Sequence, residues 1–416
     1  MKIGFVGMTH LGLCQLAACA EKKFDVLGID SSLEKIKNLN NLDILYDEPF
    51  LKKTIKKNLK RIKFSSNFNE IKKLDLVFIS LDLKTNKQGY ADTKILLQLI
   101  NKTKKYLNLD ASLIILSQVR PKFTRAINFD KKRLYYQVET LVFGQAISRA
   151  LNPERIIIGT GSEKFNSKYK NFLKKFNCPL IKMNYESAEL SKLSINIFLA
   201  SSVTVTNLLA RIARNIGADW DQIIPALKLD KRIGQYAYLK SGLGLSGGNI
   251  ERDLFSIKSI IENDDKNGRN LINSIVDNSK YMKKWAEKIL EKKLKKNQII
   301  GILGLAYKDK TNSIKNSPSI ELIKKIKKNK ILAYDPSVNI KKINQNYNQV
   351  NNFKEVMKNS DILILMTNWE NVKQIQKYTQ NINLRRKIIL DPHGLLKLSI
   401  KKNFKEYFTL GTKIDI

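Results

Sequence analysis

Short apolar runs alternate with longer amphipathic stretches along most of this chain. Lys2-Ile3-Gly4-Phe5-Val6 is the first run, apolar without period-two alternation, as expected of a strand buried on both faces. The turn Gly7-Met8-Thr9-His10-Leu11-Gly12 follows and opens into a Leu- and Ala-rich helical stretch. Val26–Ile29 predicts a second strand closed by Asp30, and the three pieces make a β-α-β unit with a right-handed parallel crossover. Further strands are expected at Leu76–Ile79, Leu113–Leu116 and Ile156–Ile158. Residues 1–184 therefore read as one doubly wound domain.

From Tyr185 the strand signals stop. Glu189–Ile216 and Asn270–Lys296 are long helical patterns, and the second ends in a lysine-rich, solvated stretch. Beyond it, Ile299–Leu303, Ile331–Tyr334, Ile362–Met366 and Ile388–Leu390 are again short apolar runs between helical ones. The expected fold class is α/β. Two Rossmann-like doubly wound parallel-sheet domains, 1–184 and 297–416, are joined by a helical central region, 185–296.

Composition narrows the classes without choosing among them. Of 416 residues, 43% are hydrophobic and 27% charged, which excludes a disordered or collagen-like chain. The 75 Lys and Arg against 38 Asp and Glu give a formal charge of +37. Such a field attracts polyanions, but the lysines are scattered and no nucleic-acid module accompanies them. A compositional bias on solvated faces is the favoured reading, and no nucleic-acid partner is expected. Cys14, Cys19 and Cys178 cannot build a disulfide framework, and His10 and His393 offer no zinc spacing, so no metal is expected. The N-terminal stretch to Cys19 mimics a lipidated signal peptide, but His10 and Gln15 interrupt it and a regular β-α-β unit continues through it. No window is expected to approach the ~20 apolar residues of a membrane span. A cytosolic protein without a membrane partner is the expectation.

Gly7-x-Thr9-x-x-Gly12 lies where a dinucleotide fingerprint should, after a strand and opening a helix. There a tight turn and a helix N-terminus receive a pyrophosphate on backbone N–H groups. Thr9 occupies the middle position, where glycine normally lets the backbone approach; its side chain crowds the phosphates, although its hydroxyl can donate to them. Asp30 is placed to accept the adenosine ribose hydroxyls, and its charge repels the extra phosphate of NADP. A nucleotide-free α/β turn remains the alternative on this pattern alone.

Several ordered segments together resemble the UDP-glucose/GDP-mannose dehydrogenase family across essentially the whole chain. Tyr46-Asp47-Glu48-Pro49-Phe50-Leu51 is similar to its Y-x-E-P-x-L stretch. Glu139–Gly144 followed by Arg155-Ile156-Ile157-Ile158-Gly159 resembles its E-F-L-R-E-G and R-I-V-x-G blocks. Ala188-Glu189-Leu190-Ser191-Lys192-Leu193-Ser194-Ile195-Asn196 matches its A-E-x-x-K-x-x-x-N helix. Arg232-Ile233-Gly234 leads into Gly242–Asp253, which parallels its G-x-G-F-G-G-S-C-F-x-K-D loop. Gly301–Lys308 and Ser317-Pro318-Ser319 are similar to its C-terminal G-L-x-x-K and S-P-S pieces. The resemblance implies NAD as cofactor, a nucleotide sugar (a UDP-sugar favoured) as substrate, a homodimer built on the central helix, and a role in surface-polysaccharide synthesis.

It also implies site residues. Lys192 and Asn196, one helical turn apart, can together stabilise an alkoxide or carbonyl oxygen, while Asp253 and Glu139 handle protons through water. On spacing alone, a solvated lysine paired with Glu189 is the preferred reading of Lys192, and only the resemblance reverses it. Cofactor contacts are implied for Gly7, Thr9, His10, Leu11, Gly12, Asp30, Lys35, Gln118, Arg252 and Lys315. Substrate contacts are implied for Arg232, Tyr238, Gly244, Leu245, Ser246, Gly247, Lys308 and His393.

The departures matter as much. Asn249 stands where the family carries the cysteine that forms a thiohemiacetal and then a thioester during aldehyde oxidation. An amide is no nucleophile at neutral pH, so that covalent route is closed. Asp82-Leu83-Lys84 replaces G-T-P, Gln118 replaces a threonine, and Val142-Phe143 replaces R-E. His393 and Lys315 stand at arginine positions. Three outcomes stay open at this point: one hydride transfer to an aldehyde or ketone, slow acid formation through an aldehyde hydrate, or ligand binding without turnover.

Overall fold

The computed structural model describes residues 1–83, 92–369 and 372–412; Lys84, read from the sequence as a departure from the family pattern, lies outside them. The chain divides into two compact units, Met1–Ile195 and Asn196–Ile416.

The first unit is built on strands β1 (Lys2–Val6), β2 (Asp25–Ile29), β3 (Ile62–Ser65), β4 (Leu76–Ile79), β5 (Ser112–Ile115), β6 (Leu134–Gln137), β7 (Ile156–Thr160) and β8 (Leu180–Met183). They form one sheet in the order β3-β2-β1-β4-β5-β6-β7-β8. Every pairing is parallel except β6 with β7. Order reverses between β1 and β4, which leaves a crevice at the carboxyl ends of those strands where helices diverge to opposite faces. Helix α1 (His10–Glu21) packs there and is buried along nearly its whole length, which explains its apolar composition.

The second unit holds β9 (Ile300–Leu303), β10 (Ile331–Tyr334), β11 (Tyr347–Gln349), β12 (Ile362–Leu365), β13 (Ile388–Asp391) and β14 (Glu406–Thr409). Their order, β11-β10-β9-β12-β13-β14, repeats the same switch between its first and fourth strands, with all pairs parallel. Among the described residues no strand lies between Met183 and Ile300.

Two expectations need correction. The helical pattern at Asn270–Lys296 is two helices, Lys266–Lys283 and Trp285–Lys293, with Lys284 between them. The break follows from two cores: Ile272 and Ile275 pack with Leu245 and Leu254, whereas Ala286 and Leu290 join the core of the six-stranded sheet. The helix Tyr185–Asn215 also contains an 18-residue window of mean hydropathy 1.6, so a stretch long and apolar enough to span a membrane does exist. The apolar residues are interleaved with Ser, Thr and Asn, and two of those polar groups are committed to protein partners, Asn196 to Asp253 and Asn207 to Gly242.

Candidate functional site

In the first unit the glycine turn sits on the switch point. Gly7 turns the chain with φ 97°, and a Cβ on Gly12 would lie 2.3 Å from Gly7 O and 2.7 Å from Ser80 Oγ. Glycine at position 12 is therefore what lets the helix start this close to β1 and to the end of β4. Asp30 is buried at the end of β2, where it accepts from Met8 N–H (2.9 Å), Ser32 N–H (3.0 Å) and Lys35 Nζ (2.6 Å). Asp30 and Lys35 thus meet at the ribose position of a dinucleotide fold. The turn, the helix N-terminus and this carboxylate fit NAD, because glycine at position 12 lets the helix start close against β1 and β4 with its N-terminus at the switch point.

Thr9 precedes α1 but does not cap it: its hydroxyl donates to Ser80 O (2.9 Å) and accepts from Asp82 N–H (3.0 Å). Leu11 N–H, an N-terminal donor of the helix, is taken by Asp82 Oδ2 at 3.1 Å. His10 turns its ring to Glu48, with Nε2 2.9 Å from Oε2, and stacks on Phe143 at a centroid distance of 4.4 Å. Gln118 lies half-buried just past β5. Glu48 also accepts from Gly144 N–H (3.0 Å) and Ala146 N–H (2.8 Å). Burial raises this carboxyl, but the bonds from His10, Gly144 and Ala146 outweigh it and hold Glu48 below the ordinary carboxylate range. Neither Glu48 nor Asp82 was singled out from sequence as a site residue.

Glu139 accepts from Gln15 Nε2 (2.5 Å) and Leu141 N–H (2.7 Å). Desolvation raises its pKa; those hydrogen bonds and the charge of Lys192 oppose the rise without cancelling it. A carboxyl tuned upward beside a lysine is a candidate for proton exchange. Lys192 is half-buried, and Glu189, the alternative partner raised by spacing, is fully buried with Oε1 accepting Thr124 N–H at 2.8 Å. Cys14 and Cys19 are buried, and burial drives both thiols far above their ordinary range, with Glu48, Glu139 and Asp82 adding to the effect at Cys14. Cys178 is raised as well. None of the three is an activated thiolate.

In the second unit Asp253 is fully buried. One of its oxygens accepts from Asn196 Nδ2 and the other from Arg252 Nε at 3.2 Å. With both oxygens engaged, Asp253 fixes the Asn196 amide and the Arg252 guanidinium in place. Asn249 is the exposed first residue of the helix Asn249–Lys258, directly after Gly248.

The loop before that helix is tied down on three sides. Gly242 N–H donates to Asn207 Oδ1 (2.9 Å), Leu245 N–H to Ser279 Oγ (2.8 Å), and Gly247 N–H to Lys315 O (3.1 Å). Gly244 and Gly247 take positive φ, and a Cβ on Gly244 would lie 2.6 Å from Ser279 O. Lys315 lies over Gly248, its Nζ 2.6 Å from where a Cβ would be. Ser246 is half-buried beside these glycines. Glu251, not singled out from sequence, receives Lys283 Nζ at 2.9 Å and the Asn316 amide, which also reaches Gly247 O at 2.7 Å. That carboxylate locks the helix start to the loop.

His393, past β13, faces the loop: a Cβ on Gly242 would stand 3.7 Å from its Cε1. Burial lowers its pKa, with Lys240 adding and the Met366 carbonyl and Asp391 opposing, so the ring is neutral at pH 7. It supplies a hydrogen bond where an arginine would supply a permanent charge. Lys308 lies half-buried with Nζ 5.8 Å from the Tyr307 ring centroid. Arg232 and Tyr238 are exposed, and Arg232 is paired with Asp230 at 2.6 Å.

Two switch-point α/β units, the first with a glycine turn and a buried carboxylate closing its second strand, define a dinucleotide-binding class of scaffold. Residues 1–177 match the NAD binding domain of the UDP-glucose/GDP-mannose dehydrogenase family, 186–279 its central domain and 301–398 its UDP binding domain. A UDP-glucose 6-dehydrogenase of Rickettsia bellii is 30% identical over 100% of both chains. UDP-glucose 6-dehydrogenase TuaD of Bacillus subtilis is 28% identical over 95% of this chain and 90% of its own. Solved structures share the fold: a UDP-glucose dehydrogenase of Pyrobaculum islandicum superposes with TM-score 0.84 at 22% identity, covering 98% of this chain and 96% of that one. UDP-D-ManNAc dehydrogenase of Pyrococcus horikoshii gives TM-score 0.83 at 22% identity over 99% of each chain. The chain belongs to the UDP-glucose/GDP-mannose dehydrogenase family, and NAD is its cofactor.

Proposed function

We propose that this protein oxidises a hydroxyl of a UDP-sugar and stops after one hydride transfer, releasing the carbonyl product. NAD, when bound, supplies the two-electron hydride acceptor. The protein's own part is to hold the alcohol and take its proton. Lys192 and Asn196, one turn apart on one helix, are placed to bind the same oxygen as it becomes carbonyl. Asp253 keeps the Asn196 amide oriented, and Glu139, with its raised carboxyl, receives the hydroxyl proton through water. The buried Asn196–Asp253–Arg252 set is the observation that carries this reading, since so fully committed a carboxylate has a positioning purpose.

The halt follows from Asn249. A second oxidation by the covalent route needs a thiol to add to the aldehyde carbon before a second hydride leaves, and an amide cannot add. The buried high-pKa thiols of Cys14 and Cys19 offer no substitute. We place the UDP-sugar along Gly242–Gly248 with Lys308 and His393, and a second copy of the chain on the exposed face formed by Phe198, Val205, Leu209 and Ile212. The test is a panel of UDP-sugars with NAD, read as the NADH absorbance that appears per sugar consumed. One NADH per sugar consumed, from at least one sugar, supports the reading; two per sugar overturns the halt; none from any, with binding retained, leaves a binding protein of the same fold.

A further inference from the structure

Two positions where this chain departs from its family touch each other. Thr9 stands where a glycine would open the phosphate turn, and Asp82 stands in the segment that replaces G-T-P. The Thr9 hydroxyl donates to Ser80 O at 2.9 Å and accepts Asp82 N–H at 3.0 Å, which pins the segment after β4 onto the turn after β1. So held, Asp82 puts Oδ2 3.1 Å from Leu11 N–H. That N–H belongs to the first turn of α1, a 12-residue helix that has no acidic residue in its own first turn and receives no side-chain bond from Thr9. Asp82 therefore does from across the crevice what a capping residue does locally: it puts an anion on the helix N-terminus.

The same N-terminus is where a dinucleotide's pyrophosphate accepts its backbone hydrogen bonds. One N–H cannot serve a carboxylate and a phosphate oxygen at full strength, and two anions at one helix end repel. The carboxylate is on an exposed residue, so it has room to swing away. Resting on NAD as cofactor, we propose that Asp82 is an internal competitor for the pyrophosphate, held in place by Thr9, and that it sets how tightly this protein holds its dinucleotide. Binding requires Asp82 to leave Leu11 N–H, and release is assisted by its return. The outcome is a weaker grip on NAD than an open glycine turn gives, and the penalty falls on the diphosphate alone.

The experiment compares the full chain with Asp82→Asn and Asp82→Gly by isothermal titration with NAD, ADP and adenosine. Asn keeps the shape and removes the charge; Gly removes the side chain and protects the comparison should the Asn variant fold poorly. Both variants should bind NAD and ADP roughly 2- to 5-fold more tightly, the range an exposed charge at a helix terminus spans, with adenosine unchanged. Thr9→Gly should tighten NAD in the same direction, because it frees the Asp82 segment. NAD affinity unchanged or weakened in both Asp82 variants overturns the proposal, as does an equal gain for adenosine, which would place the effect outside the diphosphate. Failure of NAD to bind wild type and every variant, while adenosine binds, would remove the cofactor assignment and the proposal with it.

Discussion

Replacing Asp253 with alanine tests the anchor on which the second unit's half of the chemistry rests. The side chain is fully buried, and the change removes the acceptor for both Asn196 and Arg252, whose own side chain is only 11% exposed. Breaking a buried ion pair from one side costs about 3–5 kcal/mol, against about 1–3 kcal/mol for losing a neutral hydrogen bond. A domain has about 5–15 kcal/mol to lose, so the change should be large but survivable. All three tryptophans, Trp220, Trp285 and Trp369, lie in the second unit. Their fluorescence therefore reports that unit alone, while far-ultraviolet dichroism reports both. In urea the fluorescence midpoint should fall by about 1–2 M, while the part of the dichroism signal belonging to the first unit moves little. Asp253→Asn should recover part of the loss, because its amide oxygen still accepts from Asn196 but its NH2 faces the Arg252 donor. A cycle with Arg252→Ala should show coupling above about 0.5 kcal/mol. An alanine variant within about 0.5 kcal/mol of wild type, or strictly additive Asp253 and Arg252 losses, would refute the anchor.

Other consequences are as direct. Asn249→Cys puts a thiol at the start of a ten-residue helix, where the helix field favours thiolate; it should raise the yield of NADH per sugar above wild type, and an unchanged yield counts against the assignment of this position. Lys192→Ala should cut turnover by at least about 100-fold while NAD affinity, measured by titration, stays within about twofold; undiminished turnover removes Lys192 from the chemistry. Glu139 has a raised pKa from burial, so its protonated form stabilises the fold below the ordinary carboxyl range, about pH 4, and that contribution is lost as pH rises through its own higher value. Glu139→Gln should accordingly gain stability relative to wild type on going from about pH 4 to about pH 8, with kcat depressed; a stability difference flat across that range contradicts the buried-carboxyl reading. Val205→Glu, on the exposed apolar face of the long helix, should shift the sedimentation coefficient from dimer to monomer, and a wild type that sediments as a monomer rules the dimer out.

The interior of both sheets was legible because a parallel strand covered on both faces must be apolar throughout. Leu76–Ile79 and Ile331–Tyr334 appear at the residues expected. The edges were not legible. β3, β8, β11 and β14 border their sheets, and runs such as Ile62-Lys63-Phe64-Ser65 or the largely exposed Leu180–Met183 carry no continuous apolar signal. β6 is interior, but Leu134-Tyr135-Tyr136-Gln137 follows a basic stretch and lacks an aliphatic run. At the site, Gly12 was readable because close backbone approach demands one residue type, and the position of Asp30 because it closes the second strand of a β-α-β unit. Asp82 on Leu11 N–H was not, because it depends on two loops from different strands meeting at a switch point, 71 residues apart in sequence. Asp253 was readable as a carboxylate but not as an anchor, since only the fold brings Asn196 to it.

The central claim is the proposal that this family member performs one oxidation and no second, because Asn249 offers no nucleophile to an aldehyde. The direct measurement is the number of NADH molecules formed per UDP-sugar consumed at completion, with the sugar limiting and the product trapped by a carbonyl reagent and identified by mass. The account predicts one NADH per sugar and a trapped aldehyde or ketone; two NADH per sugar with a uronic acid product would contradict it.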